Sequence, residues 1–304
     1  MSTHEDATRI DAQQFPILAV LFPDERTFLE AMASRTHYLP GVPIIQEGQR
    51  PETLFLVHEG LLKVNKRHGD RIIEVGSITP GDVFGEASIL YGSPAGASVI
   101  SIESSVLYEL PGDAVRRILD NNERFFRALS QLAEQRVAAS ALAVNPLFAV
   151  LPQAVREVIL HNGRILSLDA GEQLFQEGQR EEGVMYLVLQ GEAEISIPHP
   201  EEKDRKLVLA KATSGDEIGE IALVCDMPHA ATVTAITPLK LLTIRKESVL
   251  AWKRRYPAFR DALYQCVADK MQRSYHSLSA LVGEEKAQTL TKDHLPSMDA
   301  WERL

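Results

Sequence analysis

Short apolar runs, broken by glycine, proline and aspartate, fill the first half of the chain and return in the second half. In the first half they cover residues 42–45, 53–58, 61–66, 71–75, 97–102 and 106–110. In the second half they cover residues 164–168, 184–189, 193–197, 206–210, 231–235 and 240–244. Short runs between turn signals are typical of strands, and many such strands in one segment predict an antiparallel barrel or roll.

Helical periodicity flanks both groups of strands. Short helices are predicted over residues 24–32, 113–119, 153–161 and 246–255. Longer helices are predicted over residues 122–144 and 256–282, where apolar side chains recur at helical spacing. Such a stripe is typical of a packing surface, against the roll or against a second subunit. The predicted fold class is therefore mostly β with flanking helices: two tandem jelly-roll-like β-rolls, each with N- and C-terminal helices.

The two halves of the chain are copies of one unit. The pentapeptide Gln46–Arg50 recurs intact as Gln176–Arg180, and four further matches keep the same order along the chain. The offset between matches grows from 130 to 134 residues, as expected when surface turns gain residues. We therefore predict a disordered N-terminal segment, two domains and a C-terminal tail, over residues 1–14, 15–143, 144–283 and 284–304. The tail is expected to be loosely ordered, or docked through Trp301.

Composition and charge narrow the functional class. Hydrophobic residues make up 45% and charged residues 24% of the 304 positions, as in soluble globular domains. The net charge of −10 argues against nucleic acid as a partner, because phosphate contacts need a surplus of basic residues on one face. Two cysteines cannot form a disulfide framework, and no apolar run has the length of a membrane span or the features of a signal peptide. A cytoplasmic protein is expected.

Each copy carries a Gly-Glu pair, then a proline followed by small residues. In the first copy the segment contains Gly85, Glu86, Ala87, Pro94, Ala95, Gly96, Ala97 and Ser98. In the second copy it contains Gly219, Glu220, Ile221, Ala222, His229, Ala230, Ala231 and Thr232. Both segments resemble the phosphate-binding cassette of the cyclic nucleotide-binding domain family. The tandem arrangement is similar to that of regulatory subunits of cyclic-AMP-dependent protein kinases, or of catabolite activator proteins without their DNA-binding part.

The resemblance implies a loop and one helical turn whose N–H groups face a ligand phosphate. It also implies that Glu86 and Glu220 accept a hydrogen bond from a ribose 2′-hydroxyl, and that an arginine after the cassette proline pairs with the cyclic phosphate. This sequence departs from the family at that arginine, because Ala95 and His229 stand there. A hydrogen bond to a charged group contributes about 1.5–3 kcal/mol, so its loss weakens binding roughly ten- to a hundredfold.

Three ligand hypotheses follow. The cassettes bind a cyclic mononucleotide with a cation from elsewhere, or an uncharged purine nucleoside whose ribose still reaches the glutamates, or no small ligand at all. Arg50 and Arg180, which end the repeated pentapeptides, are expected at the surface, and either is a candidate for the missing cation. His229 is interpreted either as a protonated phosphate contact or as a neutral, partly exposed loop residue.

No motif of a phosphate loop, metalloprotease, nucleophile elbow or metal site is present, so no catalytic residue, metal or cofactor is expected. The prediction is a non-catalytic sensor or regulatory protein that captures a nucleotide or nucleoside and moves its long helices. Its predicted partners are that ligand and an unidentified protein effector, with neither nucleic acid nor membrane, and the long helices offer a homodimer interface. A ligand-free scaffold is the alternative. A transcription regulator is less favoured, because no helix-turn-helix follows the last long helix.

Overall fold

The computed structural model describes residues 10–180, 183–202 and 205–294. The chain divides into two compact units, Met1–Ser140 and Ala141–Leu304, whereas the boundary expected from the repeat lies after residue 143. Each unit is described by itself below. Within the described ranges, none of the helices combines the length and the apolar character that crossing a lipid bilayer requires.

The first unit contains two antiparallel sheets. Its strands are β1 (Ser34–Tyr38), β2 (Pro43–Ile45), β3 (Thr53–Glu59), β4 (Leu62–His68), β5 (Arg71–Ile78), β6 (Val83–Phe84), β7 (Ser98–Ser101) and β8 (Ser105–Pro111). One four-stranded sheet has the order β1-β8-β3-β6 and the other has the order β2-β7-β4-β5. Phe55 and Phe84 of the first sheet share one apolar cluster with Ile45 and Leu62 of the second. This shared core joins the two sheets into a roll.

The second unit repeats this topology strand for strand. Its strands are β9 (Ile165–Leu168), β10 (Gln173–Phe175), β11 (Val184–Gln190), β12 (Ala193–Pro198), β13 (Lys206–Ala212), β14 (Glu217–Ile218), β15 (Thr232–Ala235) and β16 (Leu239–Arg245). Its sheets have the orders β9-β16-β11-β14 and β10-β15-β12-β13. Even an irregularity recurs, since the register shifts after Val64 between β4 and β5 and after Ile195 between β12 and β13. The prediction of two tandem rolls is confirmed.

Helices flank each roll. They are α1 (Pro23–Met32), α2 (Glu86–Tyr91), α3 (Gly112–Leu119), α4 (Glu123–Val144), α5 (Pro146–Ala149), α6 (Gln153–Asn162), α7 (Glu220–Cys225), α8 (Lys246–Arg255), α9 (Pro257–Val282) and α10 (Glu284–His294). The apolar stripes predicted on the two long helices are packing surfaces. Phe125 and Leu129 of α4 are fully buried in the core of the first unit, and Phe259 and Leu263 of α9 are fully buried in the second.

Two segments differ from the sequence-based expectation at the ends of the described chain. Residues 284–304 were expected to form a loosely ordered tail, but α10 occupies the first part of this segment, and its Ala287 is fully buried beside Leu207 of β13. Residues 1–14 were expected to be disordered, yet Ile10 is 3% exposed and belongs to the core of the first unit. In both cases apolar residues within a polar stretch anchor the chain. Trp301 lies outside the described residues.

Candidate functional site

The repeated Gln-Glu-Gly-Gln-Arg turn supports the cassette loop in both units. The Gly48 N–H donates to the carbonyl oxygen of Ala95 at 2.8 Å, and the Gly178 N–H donates to that of His229 at 2.8 Å. Ala95 and His229 each return a backbone hydrogen bond to the turn, at 2.7 and 3.0 Å. Gly48 and Gly178 have φ values of 86° and 76°, which glycine adopts without a steric penalty. The turn therefore fixes the residue after the cassette proline through its backbone.

A hydroxyl in each cassette completes this support. The Ser98 Oγ accepts a hydrogen bond from the Glu47 N–H at 2.9 Å, and the Thr232 Oγ1 accepts one from the Glu177 N–H at 3.1 Å. Ser98 and Thr232 were both predicted as ligand contacts. In the structure each hydroxyl accepts a hydrogen bond from the turn beside it.

The cassette helix of each unit begins at the glutamate. Gly85 and Gly219 precede α2 and α7, and a Cβ on Gly85 would lie 2.4 Å from the carbonyl oxygen of Thr53, so this close approach requires glycine. Glu86 is 4% exposed and Glu220 is 2% exposed. Carboxylates this deeply buried need a cation or hydrogen-bond donors.

A cation from the long helix behind each roll reaches these glutamates. Arg136 of α4 donates from Nη1 to Glu86 Oε2 at 2.8 Å, and the Nζ of Lys270 of α9 lies 3.2 Å from Glu220 Oε1. Arg136 and Lys270 are 134 residues apart, as are Glu86 and Glu220, so the ion pair is part of the repeat. The two turn arginines considered from the sequence are exposed instead. Sequence reasoning missed both cations, although the shared offset was a signal for them.

Glu217 makes the second site more complex. Its Oε1 lies 2.9 Å from Lys270 Nζ and accepts a hydrogen bond from Cys266 Sγ at 2.9 Å, while its Oε2 accepts one from Asn145 Nδ2 at 2.6 Å. Burial alone would raise the pKa of Glu217, but the charge of Lys270 and these hydrogen bonds lower it to about 2. Glu217 is therefore ionised at neutral pH.

Glu220 is left short of hydrogen-bond donors. Its Oε2 is buried without a partner. Burial raises the pKa of Glu220 against the lowering effect of Lys270, and neighbouring Glu217 adds to the rise. Burial alone would lower the pKa of Lys270, but Glu220 and Glu217 raise it, so the amine stays protonated. One ammonium thus faces two carboxyl groups, and one carboxyl oxygen remains available to a donor.

Glu220 lines a cavity of about 160 Å³ in the second unit. Its apolar walls include Phe175, Ile195, Ile197, Leu209, Val233, Leu278 and Leu290. Seven predicted cassette residues line it as well, namely Gly219, Glu220, Ile221, Ala222, His229, Ala230 and Ala231. The buried Glu220 and His229 mark its closed end, whereas the exposed Lys211 and Arg273 mark its mouth.

His229 is an aromatic wall of this cavity. It is 6% exposed, and its ring stacks on Phe175 with centroids 3.6 Å apart and planes at 8°. Burial lowers the pKa of His229, so the imidazole is neutral at pH 7. The interpretation of His229 as a protonated phosphate contact is thus not supported, and the side chain is buried rather than partly exposed.

Two strand ends of the first unit carry larger side chains than their counterparts in the second unit. Ile78 and Phe84 end β5 and β6, at the positions that Ala212 and Ile218 hold at the ends of β13 and β14. Phe84 stacks on Phe55 with centroids 4.8 Å apart and planes at 11°. The duplicated rolls therefore differ in side-chain size at these two positions.

The other predicted residues of the first cassette lie around the apolar cluster that contains Phe55 and Phe84. Ala95 packs against the same apolar cluster, Ala87 lies in the first turn of α2, and Pro94, Gly96 and Ala97 lie in the loop before β7. Only small side chains face the cluster from this loop, and the cation that reaches Glu86 comes from α4.

Comparisons with known proteins agree with this architecture. A family model described as the cyclic nucleotide-binding domain matches residues 35–122 and again residues 165–256. The chain is 29% identical over 207 residues to the cAMP-dependent protein kinase regulatory subunit of Yarrowia lipolytica, covering 68% of this chain and 50% of that protein. It is 30% identical over 230 residues to that of Schizosaccharomyces pombe, covering 72% and 52%. The chain thus spans about half the length of these curated relatives.

Among solved structures, the regulatory domain of Toxoplasma gondii PKA with cAMP is similar at 23% identity and a TM-score of 0.39, over 84% of this chain and 94% of that one. The family matches, by contrast, cover more than half of the present chain and contain both cassettes. With its two rolls, two cassettes and two family matches, the chain belongs to the cyclic nucleotide-binding domain family, as a tandem pair of such domains.

Proposed function

We propose that this chain is a non-catalytic regulatory protein whose second unit binds an uncharged purine nucleoside. The observation that carries the proposal is Glu220, which is 2% exposed, has a carboxyl oxygen buried without a partner, and lines a largely apolar cavity. An unpaired buried acceptor costs about 1–3 kcal/mol. A ribose hydroxyl that donates to Glu220 Oε2 recovers this free energy.

The charge of the site favours a neutral ligand over a cyclic phosphate. Glu217 and Glu220 already share the single ammonium of Lys270, and His229 is neutral. A phosphate placed beside these two carboxyl groups would add another buried negative charge that Lys270 cannot also neutralise, which costs several kcal/mol. A nucleoside keeps the ribose contact and avoids this cost.

The volume of the cavity is consistent with a nucleoside that places its ribose inside the cavity. A cavity of about 150 Å³ holds a single benzene ring, whereas pockets that enclose a drug-sized ligand begin at roughly 300 Å³. The space of about 160 Å³ beside Glu220 therefore accepts one ring. With the ribose beside Glu220, the base lies toward the exposed Lys211 and Arg273, and Leu278 and Leu290 are among the apolar side chains of the cavity wall.

Ligand capture is coupled to α9 through Lys270. A ribose hydroxyl on Glu220 competes with the Lys270 ammonium for the same carboxylate, and α9 also carries Leu278 of the cavity wall. Binding shifts the position of α9 if the ligand has different affinities for two arrangements of the helix. In the first unit Arg136 holds Glu86 in the same way, but the larger Ile78 and Phe84 in its apolar cluster lead us to propose no ligand there.

For the protein partner, we propose a protein kinase catalytic subunit, because the curated relatives are named as regulatory subunits of such kinases. The chain itself acts without catalysis. Burial and the charge of Glu220 raise the pKa of Cys225, the last residue of the second cassette helix, to about 11, so its thiol is not an activated nucleophile. In a kinase assay with the catalytic subunit, the chain should inhibit and nucleoside should relieve the inhibition; unchanged kinase activity contradicts this partner.

Calorimetric titration of the full chain tests the ligand. Adenosine and guanosine should bind at one site per chain and more tightly than cyclic AMP. Glu220→Gln should weaken nucleoside binding at least about tenfold, as expected for the loss of a hydrogen bond to a charged group. Glu86→Gln is the matched control from the first unit and should bind as the unaltered chain does. Tighter binding of cyclic AMP than of either nucleoside, or loss of binding in Glu86→Gln, contradicts the proposal.

A further inference from the structure

We infer that Lys211 and Arg273 make the mouth of the second unit's cavity selective for a 6-oxopurine base, such as hypoxanthine or guanine, over adenine. The inference rests on the proposed function, because it takes the ribose to lie at Glu220. Lys211 extends from β13 and Arg273 from α9, and both side chains line the cavity while remaining exposed. They are therefore placed where the base of a nucleoside emerges.

Both side chains present hydrogen-bond donors and no acceptor. Arg273 uses its Nε to donate to the carbonyl oxygen of Asp269 at 3.3 Å, which leaves its two terminal amino groups for a ligand. The Nζ of Lys211 lies 4.0 Å from a carboxylate oxygen of Glu192, and both side chains are about half exposed, so solvent screens this contact. The mouth thus offers donors to whatever occupies it.

A 6-oxopurine matches this pattern better than adenine does. It carries two adjacent acceptors, O6 and N7, which a guanidinium engages with two parallel hydrogen bonds. Adenine keeps the N7 acceptor but replaces O6 by an amino group, which is itself a donor. A donor of Arg273 would then face a donor of the base. Arg273 is therefore the side chain that distinguishes a 6-oxopurine from adenine.

One acidic residue of the cavity wall is part of a turn. Asp216 lines the cavity, and its Oδ2 accepts from the Thr213 N–H at 2.8 Å and from the Thr213 hydroxyl at 3.1 Å. These contacts hold one oxygen of Asp216 in the turn before β14. The inferred selectivity therefore rests on the two cations, and above all on Arg273.

Titration of the intact chain with inosine and adenosine tests the selectivity. We expect inosine to bind about tenfold more tightly, the effect of one hydrogen bond to a charged group. Arg273→Gln should reduce the affinity for inosine to that for adenosine and leave adenosine unchanged. Arg260→Gln is the matched control, because Arg260 is an exposed arginine of the same helix that pairs with Asp261 at 3.0 Å. It should change neither affinity.

Equal affinities for the two nucleosides, or an equal loss of both in Arg273→Gln, overturn the selectivity while leaving nucleoside binding intact. Inosine 5′-monophosphate is the third ligand in the series. If it binds more tightly than inosine and loses this gain in Arg273→Gln, the cations serve a phosphate and the inference is wrong. If neither nucleoside binds, the proposed function fails together with the selectivity.

Discussion

Replacing Lys270 by methionine removes a buried positive charge while keeping a long, flexible side chain. The Lys270 side chain is 19% exposed and lies 2.9 Å from Glu217 and 3.2 Å from Glu220. In the variant the two carboxyl groups, at 11% and 3% side-chain exposure, face each other without an ammonium. Removing one partner of a buried ion pair destabilises proteins by about 3–5 kcal/mol.

The pKa of Glu217 provides a second measure of this stabilisation. The difference between its ordinary value of 4.5 and about 2, at about 1.36 kcal/mol per pKa unit, corresponds to about 3 kcal/mol. Because the folded-state pKa is depressed, this stability is present above pH 4.5 and is lost as the pH falls through about 2. Asn145 and Cys266 share in the shift, so we expect a loss of about 3 kcal/mol in Lys270→Met at pH 7, the lower end of the range for buried pairs.

Differential scanning calorimetry of the full chain at pH 7 measures this loss. At about 2–4 °C per kcal/mol for a unit of this size, the transition of the second unit should fall by roughly 6–12 °C. Lys286→Met is the control, because Lys286 and Glu201 form an exposed pair at 57% and 64% side-chain exposure, whose loss should leave the transition nearly unchanged. Adding Glu217→Gln to Lys270→Met should restore part of the stability. If Lys270→Met costs no more than the control, the buried triad does not stabilise the fold and the reasoning is refuted.

Three further predictions concern the ligand. Giving the second roll the side chains of the first, with Ala212→Ile and Ile218→Phe together, should abolish nucleoside binding in calorimetric titration; retained binding would mean that the ligand lies elsewhere. His229→Arg should raise the affinity for cyclic AMP roughly ten- to a hundredfold, and an unchanged affinity speaks against the missing cation as the reason for weak phosphate binding. Because burial raises the pKa of Glu220, acidification below that pKa should weaken nucleoside binding toward the affinity of Glu220→Gln. The residual binding of Glu220→Gln should not follow pH, and a flat profile in the unaltered chain contradicts the role of the carboxylate.

Most of the fold could be predicted because its strands alternate with strong turn signals and occur twice. Strand β1 (Ser34–Tyr38) could not, since its sequence is polar and its burial pattern is mostly exposed. It exists because its backbone pairs with β8, from Ser34 opposite Glu109 to Tyr38 opposite Ser105. Strands β6 and β14 contain two residues each, too few for any periodicity to show.

The contiguous motifs of the site could be predicted from the sequence, but the contacts between distant segments could not. The cassettes are contiguous segments that a family resemblance identifies, and the structure places the second one around a cavity. The contacts of Arg136 and Lys270 depend on how a long helix docks on a roll some fifty residues away in the chain, and apolar periodicity does not report this. The difference in side-chain size at these strand ends could be recognised only through strand register, because Ala212 and Ile218 matter only once they are aligned with Ile78 and Phe84.

The support that the repeated turn gives to the cassette has a consequence for how such sites diverge. The residue after the cassette proline is held by two backbone hydrogen bonds in each copy, whether it is Ala95 or His229. Its side chain is therefore free to change without altering the path of the loop. After a duplication, one copy can lose or exchange its ligand through a few substitutions while both copies keep their fold. The residue after the cassette proline can therefore be substituted without loss of the fold, and its substitution changes the chemistry of the site. A tandem chain of this kind is well suited to evolve binding of a new ligand.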